Sequence, residues 1–173
     1  MYGSDRMFLC SVEALVDPLV VLPHHGPLVA ELERVGAKVT ILRFPVLRKV
    51  EMRGLRAPLF GLALLFALPR LVMALKRWRA TDLYVSTIIC PVWLVAGRLA
   101  GCRVVCHVHE NEPDMGSLKR AVLLAQLRFA SCIVANSRST RDWIGASGRA
   151  TFEREASEEV LGHRWLELLE KLS

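Results

Sequence analysis

Among the five cysteines no two are spaced Cys-x-x-Cys, and the chain contains no His-Glu-x-x-His run. These absences remove the commonest zinc and dithiol frameworks. The thiols of Cys10, Cys90, Cys102, Cys106 and Cys132 lie in apolar segments and read as reduced, buried side chains of a cytosolic protein. Aromatic residues are scarce, at 7% with two tyrosines. Without a stacking platform, a recognition helix or a zinc finger, no nucleic-acid partner is expected. A signal peptide is not expected either, because Met1 to Leu9 includes Asp5 and Arg6 and has no long apolar core. Long apolar runs are missing as well. A bilayer span needs about twenty residues. In the greasiest stretch, Leu55 to Leu75, only thirteen uncharged residues separate Arg56 from Arg70, and Pro58 and Pro69 are expected to break the run.

Hydrophobic residues make up 53% of the 173, enough for one domain with a sizeable core, and the mean hydropathy is +0.33. The net charge is +6, which favours anionic partners. Charge and grease coincide between Arg53 and Arg79. Arg53, Arg56, Arg70, Lys76, Arg77 and Arg79 bracket the apolar stretch, so a helix lying in the headgroup layer of an anionic membrane is one expectation and a helix packed in the domain another.

Apolar runs of strand length alternate with helical patterns. Strands are expected at 19–23, 38–42, 82–86, 103–108 and 132–136, all of the continuous apolar kind that suits a parallel sheet covered on both faces. Helices are expected from Asp5 to about Val16, from Pro27 to Val35, from Pro91 to Ala100, and from Ser117 to Ala130. Pro27 and Pro91 suit a first turn, and Gly36 and Gly101 a helix end. The alternation predicts an α/β fold with a doubly wound, Rossmann-like parallel sheet over residues 1–146, lacking a strand before the first helix. Residues 147–173 read as a short linker and a C-terminal amphipathic helix with Leu161, Trp165, Leu168 and Leu172 on one stripe.

The stretch Cys106-His107-Val108-His109-Glu110-Asn111 closes the fourth strand. Residues i and i+2 of a strand share a face, so His107 and His109 project together. A zinc site needs further ligands that this stretch does not supply. A histidine satisfied in the sheet and a base at the sheet's rim both remain open. Ligands of open α/β sheets bind beyond the carboxyl ends of the strands, and a neutral imidazole there can take a proton from a hydroxyl. Two weaker signals are helix starts. Gly3 and Ser4 open the first helix, where free amides attract a phosphate or merely receive a cap from Ser4 or Asp5. The run His24-His25-Gly26 marks a similar junction. After the fifth strand, Ser137 or Ser139 is expected to cap a helix, with Arg138 beside it as a ligand contact or a solvated side chain.

Taken in order, "YGSDR", "VVLPHHGPLVAELERVGAKVTIL", a basic apolar helix, "DLYVS", "GCRVVCHVHEN" and "ASCIVANSRSTRDWI" resemble the N-terminal domain of family 4 glycosyltransferases of GT-B architecture, over roughly residues 2–145. The resemblance implies hexosyl transfer from a nucleotide sugar to the hydroxyl of a glycan or lipid-linked acceptor. It implies no cofactor or metal, and a cleft between two Rossmann-like domains, of which this one binds mainly the acceptor. It places Gly3 and Ser4 near the donor phosphates and His109, with His107 second, near the reacting centre. Glu110, Asn111, Ser137 and Arg138 then line the cleft. The resemblance further implies a cytoplasmic enzyme, peripheral at the inner face of the plasma membrane. The family's loop usually carries two adjacent glycines, and Tyr2 stands in place of the first. No second domain with the family's further glycine loops follows residue 146, so an acceptor-binding half is expected that is inactive alone and is completed by a donor-domain partner. The alternative is a non-catalytic membrane-surface module built on residues 53–79.

Overall fold

The computed structural model describes residues 3–47, 56–110, 116–145 and 150–152. They form two compact units, one built on residues 1–43 and the other on residues 44–154. The expected C-terminal helix, Arg53 and Asn111 lie outside the described residues.

The first unit comprises α1 (Gly3–Glu13), β1 (Leu19–Leu22), α2 (Pro27–Arg34) and β2 (Lys38–Ile41). The strands pair in parallel with Leu19 opposite Lys38 and Leu22 opposite Ile41. Val12, Val20, Leu32 and Ala37 are its buried centre, with Phe8, Leu9, Leu28 and Val39 packed around them. Gly3 and Ser4 are already helical, so α1 starts two residues earlier than expected and ends at Glu13, short of Val16. The expected cap by Ser4 or Asp5 is therefore replaced by a position inside the first turn.

The second unit holds a four-stranded parallel sheet in the order β3-β4-β5-β6. Its strands are β3 (Asp82–Val85), β4 (Arg103–Val108), β5 (Cys132–Ala135) and β6 (Ala150–Phe152). Helix α3 (Arg56–Arg77) precedes β3, and α4 (Pro91–Ala100) joins β3 to β4. Helix α5 (Ser117–Ala125) and a 3₁₀ turn (Gln126–Phe129) lead to β5, and α6 (Arg138–Ile144) leads to β6. Parallel neighbours need such crossovers, because each strand must return to the same edge. Residues 104–108 of β4 and all of β5 are buried, as their unbroken apolar runs require. The core consists of Ile88, Leu94, Val104, Val108, Leu127 and Ile133, each at most 2% exposed.

Two local rules are visible in α4. Pro91 opens it, where its missing N–H costs no helical hydrogen bond. Gly101 closes it with φ +87°, the left-handed conformation that favours glycine, and the Cys102 amide donates to the Gly97 carbonyl. Gly97 itself lets α4 seat on the sheet. A Cβ there would stand 2.5 Å from Leu83 Cδ2 and 2.7 Å from Val104 Cγ2.

Two expectations are corrected. Pro58 and Pro69 do not divide α3, which runs unbroken for 22 residues. Pro58 occupies the first turn, and Pro69 falls on the exposed side, while Ala67, Leu71 and Leu75 on the opposite side are buried. Packing along that side holds the helix through the one hydrogen bond that Pro69 cannot donate. Within the stretch read as a linker, residues 150–152 form a short strand, with Ile133 opposite Ala150.

Candidate functional site

The carboxyl end of β4 carries the histidine pair. The strand ends at Val108, so His107 is its fifth residue and His109 the first beyond it. The expected common face is present, with the two rings 3.9 Å apart between centroids and tilted by 40°. His107 is sealed from solvent at 0% exposure, and its Nδ1 lies 2.7 Å from the Tyr84 hydroxyl. Burial, with His109 beside it, holds the His107 pKa down at about 3, so the imidazole is neutral at physiological pH. The direction of this hydrogen bond follows the imidazole tautomer: the phenol donates when the ring proton is on Nε2 and accepts when it is on Nδ1. This environment corrects the expectation that His107 acts directly on an acceptor, because a fully enclosed ring does not meet a substrate hydroxyl.

His109 differs. It is only partly buried, yet both ring nitrogens are enclosed and neither finds a hydrogen-bond partner among the described residues. Burial lowers its pKa below the ordinary 6.5, and the Glu110 carboxylate opposes part of that shift. A neutral imidazole keeps a lone pair that accepts a proton or a hydrogen bond, but here a hydroxyl reaches it only when the enclosing side chains give way. Among the described residues no three His, Cys, Asp or Glu side chains converge as a metal site.

Glu110 is committed to the loop after β3. Its carboxylate accepts from the Thr87 hydroxyl, from the Ile88 amide at 3.3 Å and from the His109 amide at 3.2 Å. Gln126 fastens the same loop, its Nε2 donating to the Ile88 carbonyl at 2.7 Å. The loop after β3, the end of β4 and the helical turn before β5 are thus cross-linked behind the histidines. Replacing Glu110 with alanine strands two amides and a hydroxyl, and the expected cost is about 2–3 kcal/mol of stability, readable as a lower urea midpoint. The thiols nearby are not nucleophiles. Burial first and Glu110 second push Cys90 up to about 12 and raise Cys106 as well.

Of the other expected site residues, Ser137 is the cap of α6, accepting from the Thr140 amide at 3.0 Å, and Ser139 is not. The Thr140 hydroxyl donates in turn to Asn136 Oδ1 at 2.7 Å, so this polar cluster serves the turn after β5. Arg138 is the exposed first residue of α6. His24 and His25 are exposed in the turn before α2. Tyr84, Thr87 and Gln126 were not expected at the site. A tyrosine among the apolar residues of "DLYVS" was the one available signal, since a buried phenol seeks a hydrogen-bond partner.

The sequence matches the model of Glycosyltransferase Family 4 over residues 13–150. The chain belongs to that family. Its structure is similar to one titled "Crystal structure of Anabaena Alr3699/HepE in complex with UDP and glucose", with a TM-score of 0.67 and 19% sequence identity over 90% of this chain. At that identity the likeness speaks for the fold, a GT-B Rossmann-like half, and the chain spans 42% of the neighbour's length. No curated protein matches the sequence.

Proposed function

We propose that this chain is the acceptor-binding half of a hexosyl-transferring glycosyltransferase, with His109 at the end of β4 reaching the acceptor hydroxyl once the groups that enclose its ring nitrogens move aside. The observation that supports this reading is the His109 ring, neutral and without a hydrogen-bond partner among the described residues, beyond the end of an inner parallel strand. In the proposed step the acceptor oxygen bonds to the anomeric carbon of the sugar and the nucleoside diphosphate leaves with the glycosidic electron pair. The hydroxyl proton passes to the free imidazole nitrogen of His109. His107 does not take part directly. It backs the His109 ring and is itself held by Tyr84. Arg138, exposed at the start of α6, is proposed to line the acceptor cleft. A donor-binding half, on a continuation of the chain or on a separate subunit, completes the enzyme.

UDP and glucose in the neighbour's title make UDP-glucose the first donor to test. The chain is expected to show no turnover of radiolabelled nucleotide sugars with glycan or lipid-linked acceptors on its own, and turnover once a donor-binding half is supplied. Turnover by the chain alone overturns the division of labour, and a completed enzyme that transfers nothing overturns the reading. A second reading, favoured by the exposed apolar side chains of α3, is a module that binds the membrane surface, with a cytoplasmic protein held at the inner face of the plasma membrane.

A further inference from the structure

Helix α3 is fully buried along one side only in its later half, while Phe60 and Leu64 on that side are half-buried. At about 1.5 Å per residue its 22 residues extend ~33 Å. Ala67, Leu71 and Leu75, all in the later turns, are its buried residues, and none from Ala57 to Phe66 is buried. The earlier turns are nevertheless as apolar as a core helix. Leu59 is 64% exposed, Leu62 51%, Leu65 62%, Phe66 77% and Met73 54%. At 100° per residue these five fall on one arc, opposite the buried stripe of residues 67, 71 and 75. An exposed apolar strip of this length is unusual on a soluble surface and marks a contact site.

The charge pattern selects the partner. From residue 52 to residue 81 the sequence contains no Asp or Glu, while Arg53 and Arg56 precede the apolar stretch and Arg70, Lys76, Arg77 and Arg79 follow it. A second copy of this helix offers those cations no counter-charge, whereas an anionic bilayer offers both an apolar layer and a plane of phosphates. By length and composition α3 could cross a bilayer, but crossing conflicts with the packing of Ala67, Leu71 and Leu75 inside the unit and would carry Arg70 into the hydrocarbon.

The chain path adds an orientation. Leu47, before α3, donates its amide to the Ile89 carbonyl in the loop beyond β3, and Thr81, after α3, accepts from the Arg103 amide at the start of β4. The crossover therefore enters from the carboxyl edge of the sheet and leaves at the amino edge.

We propose that the exposed strip of α3 lies along an anionic bilayer at headgroup depth, with Leu59, Leu62, Leu65 and Phe66 below the phosphates and the flanking cations among them. This inference rests on the membrane-surface reading and fixes its residues, depth and lipid charge. The chain floats with vesicles containing phosphatidylglycerol and stays with the soluble fraction when offered phosphatidylcholine alone. Raising salt weakens the association, because the phosphate contacts are screened. Replacing Leu62 and Phe66 together by aspartate lowers partitioning by about a hundredfold. Changing Arg70, Lys76, Arg77 and Arg79 to glutamine lowers it by several hundredfold, at roughly fivefold per cation. Circular dichroism verifies that each variant folds.

Depth is read from Phe66→Trp, as the difference from the unaltered chain, using vesicles brominated near the headgroup or near the bilayer centre. Stronger quenching by the shallow bromines is the expected result. Stronger quenching from the bilayer centre overturns the surface mode while leaving membrane binding in place. Flotation indifferent to the Leu62 and Phe66 substitutions overturns this strip as the contact. No flotation with any vesicle ends the membrane reading itself and leaves the glycosyltransferase reading to its own test.

Discussion

His109→Ala, in the chain completed by a donor-binding half, lowers kcat by about 10²- to 10⁴-fold, the range for losing a positioned proton acceptor. Stability changes little, because neither ring nitrogen is engaged by a described residue and the ring's main partner is the face of His107. The acceptor KM moves less than kcat if the imidazole acts as the bond to the sugar forms. A kcat within a factor of a few of the unaltered enzyme removes His109 from the chemistry, and a collapsed thermal midpoint reassigns it to the core. The pH profile adds a second reading. Because burial holds the His109 pKa below 6.5, its neutral form persists into mild acid, and the acid limb of kcat falls at lower pH than a solvated imidazole would give.

The second large effect is on stability in acid. In the unfolded chain the His107 imidazole takes up a proton below about 6.5, and in the folded chain not until about 3. Between these values the unfolded state binds more protons, so stability falls as the pH falls and is fully present above 6.5. The slope is about 1.4 kcal/mol per pH unit for one histidine, and over the whole interval it amounts to roughly 4–5 kcal/mol. His109, shifted in the same direction, steepens the upper part. This is a large share of the ~5–15 kcal/mol that a domain of ordinary size has to lose. His107→Asn retains a hydrogen-bonding group for the Tyr84 hydroxyl but does not titrate. The variant is less stable near neutral pH, yet its urea midpoint declines less steeply between about pH 6.5 and 4. Parallel declines in the two proteins exclude His107 as the source of the acid sensitivity.

Both effects depend on contacts that the chain order hides. Tyr84 meets His107 across 23 residues of sequence, because the parallel register sets Tyr84 opposite Val105 and so brings its hydroxyl diagonally to the residue two further on. Nothing local to "DLYVS" or "CHVHEN" specifies that register. Glu110 illustrates the same limit. Read as a cleft carboxylate, it is occupied by the amides of Ile88 and His109 and the hydroxyl of Thr87, groups brought to it by the loop after a neighbouring strand.

The elements themselves were legible. β4 and α4 follow their expected bounds residue for residue, because an unbroken apolar run and a Pro-to-Gly bracket are each signals contained within the element. β6 was not, since three residues carry no periodicity. α3 was misread at Pro69 because a lost backbone hydrogen bond is a local cost, while the burial of Ala67, Leu71 and Leu75 that outweighs it belongs to the fold. Taken alone, the sequence determined the alternation of strands and helices, the common face of the two histidines and the family. Only the tertiary structure decided that one imidazole is wholly sealed and bonded to Tyr84 while the other is partly exposed with both nitrogens enclosed and unbonded, because burial and hydrogen-bond supply come from residues distant in the chain.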